Sequence, residues 1–168
     1  MNKTKDLVII AIFSAIIFVQ EEVLTFLPNI QLTVFLLILY TKMLGFKKTM
    51  AIILIHVTLD NLVMGSINMV YTPFMLLGWS LIPILLTTIF KRVNQSLGLA
   101  YFSILAALLY SWIYLIPSVL IMHVNPLAYL ASDILFELLL ASSSFLSTLW
   151  LYNPCAKAMQ TLLNKTYR

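Results

Sequence analysis

The chain has 168 residues, 62% of them hydrophobic and only 10% charged, with a formal net charge of +4 and a mean hydropathy of +1.01. A soluble domain of this length covers its surface with far more polar side chains, so the composition excludes one and indicates an integral membrane protein. The apolar runs are continuous rather than alternating, which excludes a β-barrel; the expected fold is all-α, six transmembrane helices in one compact domain over 1–168.

The first helix is expected near 6–24. Lys3 and Lys5 precede it as in a signal peptide, but no small-x-small cleavage site comes before Glu21–Glu22, so it reads as a retained span. Ala11 and Ala15 form a small-xxx-small pair in it, with Ser14 beside them, and such a face lets another helix approach closely. After a break at Pro28–Asn29, the second helix is expected near 31–45. Gly45 with Lys47–Lys48 separates it from a third near 48–65, and both are short for a bilayer. A break from Gly65 to Pro73 leads into a fourth helix near 72–91. Asn94 to Gly98 leads into a fifth near 97–122, and Asn125–Pro126 into a sixth near 127–152. Pro83 and Pro117 lie inside spans and are expected to kink them. Met43, Met50, Met64, Met69, Met75 and Met122 read as lipid-facing or packing residues, and Cys155 as a reduced thiol that excludes an internal disulfide.

Charge sets the expected topology. Lys3, Lys5, Lys42, Lys47, Lys48, Lys91, Arg92, Lys157, Lys165 and Arg168 all fall on one side of this layout. The positive-inside rule makes that side the cytoplasm, with both termini inside, in a bacterial cell membrane. Glu21, Glu22, Asp60, Asp133 and Glu137 fall in the opposite, outer half. Asp133 and Glu137 are four residues apart on one helix face, and a carboxylate in hydrocarbon costs several kcal/mol unless it pairs, protonates or meets water. The same half collects Gln20, His56 and a set of amide, imidazole and aromatic groups, which together suit an outward-facing pocket for a polar ligand. The candidate binding residues are Asp60, Asn61, Asn68, Tyr71, Trp79, His123, Asn125, Tyr129, Asp133 and Glu137. Another reading stays open, in which these side chains bond neighbouring helices and the aromatics anchor the interface.

Catalytic signatures are missing: there is no G-x-S-x-G, no H-E-x-x-H and no Walker A loop. Paired Glu21–Glu22 resembles the glutamates of intramembrane CAAX-type proteases, but Phe26 stands where those carry an Arg. No catalytic residue, resident cofactor, metal site or nucleic-acid partner is expected.

Six short helices with both termini inside, the Ala11-xxx-Ala15 face and the stretch "LPNIQLTVFLLILYTKMLGFKK" together resemble the substrate-binding S components of energy-coupling factor (ECF) vitamin transporters. The resemblance implies a binding subunit that is not itself an enzyme, taking a vitamin from outside: cobalamin first, otherwise pantothenate, folate or a pyridoxine-type vitamin. It implies partners, a transmembrane coupling subunit docked on Ala11, Ser14 and Ala15, and two ATPase subunits that hydrolyse ATP. It also implies a gate made by the loop Leu24, Thr25, Phe26, Leu27, Pro28, Asn29 and Ile30. Two rival readings remain: an intramembrane enzyme using Asp133 and Glu137 as acid and base, and a scaffold subunit without ligand.

Overall fold

The computed structural model describes residues 3–63 and 67–167; the expected break at Gly65, together with Met64 and Arg168, lies outside the described residues. Helix accounts for 83% of it, with no strand among the described residues. The segments are α1 (Lys3–Leu24), α2 (Thr33–Leu44), α3 (Phe46–Val63), α4 (Thr72–Thr87), α5 (Ser96–Ile113), α6 (Leu115–Leu120) and α7 (Pro126–Tyr167). Three stretches are long and apolar enough to cross a membrane: Lys3–Leu24, Ser96–Leu120 and Pro126–Tyr167. Apolar α2 and α4 are shorter, at 12 and 16 residues, and the 18 residues of α3 include Lys47, Lys48 and Asp60.

α2 is the centre of the bundle. Nine consecutive residues, Thr33 to Thr41, are buried in it, as expected of a helix that is apolar all round and touches neighbours on every side. α1, α3, α4, α5 and α7 all pack against it. Phe13 of α1 meets Tyr40 with ring centroids 4.8 Å apart, and Trp79, Ile82 and Leu86 of α4 extend the same core. Gly45 turns α2 into α3 at φ +81°, a left-handed conformation that costs glycine no Cβ clash. At Gly78 an added Cβ would lie 2.7 Å from the Tyr110 ring, so glycine there lets α4 and α5 approach closely.

Several boundaries differ from the sequence reading, each for a local reason. The expected helix 97–122 is two segments. Pro117 has no N–H to give the carbonyl of Ile113, the Tyr114 N–H turns back to Ser111 O at 3.2 Å, and α5 stops before α6 resumes. α4 ends at Thr87 rather than near 91: the Phe90 N–H closes a wider turn on Leu85 O at 2.8 Å. Pro83 stays inside α4, where its own carbonyl accepts from Thr87 Oγ1 at 2.7 Å. The expected helix 127–152 instead runs 42 residues through Pro154 to Tyr167, about 63 Å at 1.5 Å per residue. Pro154 sits on the exposed side, so the carbonyl it orphans on Trp150 is not trapped in the core.

The last turn of α7 reaches the starts of α1 and α3. Lys5 Nζ donates to Thr166 O at 2.5 Å, and Lys48 Nζ to Asp6 Oδ1 at 2.6 Å and to Tyr167 Oη at 2.8 Å. The Tyr167 hydroxyl also donates to Asp6. Lys42 reaches Lys91 O and Asn94 Oδ1, at 3.3 and 3.1 Å. These bonds gather basic residues from four parts of the chain at one end of the bundle, and Asp6 ties Lys48 to Tyr167 there.

Candidate functional site

The opposite end is built from the carboxyl end of α1, the loop that follows it, and the facing turns of α3, α4, α5, α6 and α7. The far end of this loop is tied back to α1 by Gln20. Gln20 Nε2 donates to Thr33 Oγ1 at 2.8 Å while its Oε1 accepts the Leu32 N–H at 2.9 Å, so one amide fixes where α2 begins. Between these anchors the chain turns tightly, with the Leu27 N–H on Leu24 O at 2.8 Å and Asn29 at φ 54°, a left-handed conformation that Asn tolerates better than most residues. Asn29 Nδ2 then reaches Phe136 O at 3.3 Å, docking the loop on α7. Beneath it is a cavity of about 150 Å³ lined by Leu24, Thr25, Leu27, Pro28, Asn29 and Ile30, with Glu21 and Gln31. Six of the seven residues expected to form a gate therefore line one cavity, and Phe26 projects outward, 74% exposed.

Glu21 joins this cavity to a buried polar group. Its Oε2 lies 3.2 Å from His56 Nε2, at a distance that suits an ion pair, yet the ring N–H direction misses the oxygen. The geometry is thus a close contact without a hydrogen bond, and both His56 nitrogens lack a partner among the described residues at 0% exposure. Trp79 Nε1 is buried in the same state beside it, with the two rings 6.3 Å apart. Asp60, 7% exposed and one turn along α3 from His56, lies within electrostatic reach of Glu21 and Glu22. Buried polar groups are nearly always hydrogen-bonded in folded proteins, so Glu21, His56 and Trp79 stand out here, although Ser14, Tyr40, Ser144 and Thr148 carry unpartnered oxygens elsewhere in the bundle.

An aromatic row continues from there toward α7. Trp79 stacks on Tyr110 at 3.7 Å, Tyr110 and Tyr114 share a hydroxyl contact of 3.0 Å, and Tyr114 stacks on Tyr71 at 6.0 Å. Tyr71 Oη lies 3.5 Å from Ser118 Oγ, and Tyr129 of α7 borders the same group. Tyr110 and Tyr114 were missing from the sequence candidates. Their spacing of four residues places them on one helix face, but an apolar helix with two tyrosines gives no sign of what that face meets.

The ten candidates separate into three groups. Asp60, Trp79, Tyr71 and Tyr129 come together along this row. Asp133 and Glu137 stand at its α7 edge, half-buried, with Glu137 Oε1 shielded and unpartnered. Asn61, Asn68, Asn125 and His123 have local duties or stand apart. Asn61 Nδ2 donates to Val57 O at 2.8 Å and Asn61 Oδ1 accepts from Thr72 Oγ1 at 2.7 Å, which ties α3 to α4. Asn68 Oδ1 accepts the N–H groups of Val70 and Tyr71 ahead of α4, at 2.9 and 3.1 Å. Asn125 Oδ1 accepts those of Leu127 and Ala128, at 2.9 and 3.2 Å, and caps α7. His123 is exposed in the α6–α7 loop at φ 55°.

On α1 the small residues divide. Ala11 and Ala15 are exposed on the outer face, but Ser14 is 2% exposed and turned into the bundle, so it does not belong to the open face with them. Among the described residues no group of three or more His, Cys, Asp or Glu is arranged to hold a metal ion. Comparison with protein-family models, curated proteins and solved structures gives no match.

Proposed function

We propose that the chain is the substrate-binding subunit of an ECF-type vitamin importer, embedded in the bacterial cytoplasmic membrane as six spans with both termini inside. The observation that carries this reading is the loop 24–30, which with Glu21 and Gln31 lines a partly open cavity, while the unpartnered His56 lies beside Glu21 with Trp79 next to it. A loop held by one amide clip and one long Asn29 bond can lift without unpacking a helix. At about 150 Å³ the cavity lies below the ~300–1,000 Å³ of ordinary ligand sites, so in this reading the loop moves to make room for cargo.

Two further features support it. The basic residues gather at the end away from the cavity, the arrangement the positive-inside rule demands if the cavity opens outward. Ala11 and Ala15 face outward from α1, and Ala15 lies in a shallow apolar groove with Ile12, Ile16, Val19 and Val23, open to a coupling helix. In this reading the protein hydrolyses nothing itself. ATP is consumed by two ATPase subunits bound through the coupling subunit.

Uptake of labelled vitamin into cells tests the proposal. Uptake is expected with this chain and the coupling module together, and not with either alone. Vitamin accumulation by the chain without any ATPase, or an ATPase activity in the purified chain, contradicts it.

A further inference from the structure

An apolar groove of about 260 Å³ lies between α1 and α7, near the basic end, with α2 as its floor. Leu36, Leu39 and Tyr40 of α2 are buried there, while Ile16 of α1 and Leu162 of α7 stand at the rims, 43% and 49% exposed. The bond from Lys5 to Thr166 O sets the last turns of α7 level with the start of α1, and both helices are long and apolar enough to cross a membrane. The groove therefore opens toward hydrocarbon. A dry apolar cavity of ~150 Å³ already accommodates benzene, so this one has room for a larger apolar occupant.

An apolar groove alone does not say what fills it. Tyr40 narrows the choice: it is 1% exposed, its hydroxyl has no hydrogen-bond partner among the described residues, and it stands within electrostatic reach of Cys155 on the α7 wall. A phenol O–H buried in this way needs an acceptor. A partner helix offers mainly side chains and carbonyls already bonded along its own backbone, whereas the ester carbonyl of a lipid is free to accept. Charge supplies the other end of the match. Lys165 lies three residues beyond Leu162 on the same face of α7, about 4.5 Å along the helix. Lys5 lies two turns before Phe13, which also lines the groove, and uses one of its three donors on Thr166 O. Lysines at the mouth, a hydroxyl further in and an apolar floor follow the order of phosphate, ester and acyl chain in a phospholipid.

We propose that this groove holds one anionic phospholipid from the leaflet on the basic side. Its phosphate lies at Lys5 and Lys165, an ester carbonyl accepts from Tyr40, and one acyl chain covers Leu36 and Leu39. The inference needs only a membrane-embedded chain and stands apart from the vitamin reading.

The test uses the full chain, delipidated in detergent and titrated with dioleoyl phosphatidylglycerol or dioleoyl phosphatidylcholine. Native mass spectrometry counts bound lipid, and alkylation by N-ethylmaleimide reports on Cys155, the single cysteine of the sequence and part of the groove wall. One phosphatidylglycerol per chain is expected, bound about tenfold or more tightly than phosphatidylcholine, because each lysine near an anionic headgroup adds roughly fivefold. Cys155 alkylation should slow over the same concentrations. Lys165→Gln should cut the preference about fivefold, and Tyr40→Phe should weaken both lipids alike by about fivefold. Ala158→Trp fills the groove from an exposed position, so the chain stays folded even if Tyr40→Phe does not, and it should abolish both the single site and the protection of Cys155. Equal binding of the two lipids, lipid counts that rise without saturating at one, or alkylation indifferent to lipid overturns the proposal. So does Ala158→Trp if it binds lipid like the wild type, and its failure to join a coupling subunit in that case assigns the groove to a protein helix instead.

Discussion

At the residue scale, Asn29 and Glu21 carry most of the account. Asn29 supplies both a left-handed turn and the bond that docks the loop on Phe136 O. Asn29→Gly keeps the turn, because glycine accepts positive φ, and removes only the docking side chain. We expect ligand dissociation several-fold faster, with association and thermal stability nearly unchanged, since one such bond is worth roughly 1 kcal/mol. Stopped-flow release of bound ligand checks this, and an unchanged off-rate removes the loop from gating. The polar residues of this end were legible in the sequence, but their duties were not. Asn68 and Asn125 precede helices and cap them, and Asn61 ties α3 to α4, whereas spacing alone does not separate a cap or a tie from a ligand contact. Glu21 reads as a helix end until tertiary packing turns one of its oxygens to His56.

At the element scale, α1 has two faces of opposite character. Ile9, Phe13, Ser14 and Ile17 are buried, while Ala11, Ile12, Ala15 and Val19 look outward. Ala11→Trp and Ala15→Trp are therefore expected to insert normally and retain ligand affinity but to lose co-purification with the coupling subunit. Ser14→Trp is the control, because a large ring at a position 2% exposed overpacks the bundle and should lower stability instead, by roughly 1–3 kcal/mol. Normal complex assembly by both alanine variants removes the docking role. The helices themselves were largely visible as apolar runs between Gly, Pro and Asn breaks, and Gly45 acts as its sequence position implied. Prolines misled in both directions. Pro117 splits its helix where a kink was expected, while Pro154, within a stretch expected to lie beyond the last helix, leaves α7 continuous to Tyr167. The difference lies in local bonding: the Tyr114 backbone N–H turns back to Ser111 O, whereas Pro154 faces outward on a helix held at its far end by Lys5, Asp6 and Lys48.

At the scale of the whole molecule, one end is basic and clasped, and the other carries carboxyl and aromatic groups and is bordered by a loop. A central α2, buried all round, holds the two ends at a fixed separation, so opening at the loop end need not disturb the clasp. Composition made the membrane character plain, and the distribution of lysines gave the two ends. What the sequence could not display was the convergence of α1, α3, α4 and α5 on one polar centre, because each helix contributes only one or two groups to it. The central claim is that this centre binds a vitamin. Native mass spectrometry of the chain purified from cells grown with the B vitamins, followed by calorimetry with whichever is found, tests it most directly. One vitamin bound at one per chain with a Kd below about 1 μM, equivalent to about −8 kcal/mol, is the predicted result. A folded, monodisperse chain that carries none of them and binds none at micromolar concentration would contradict the account.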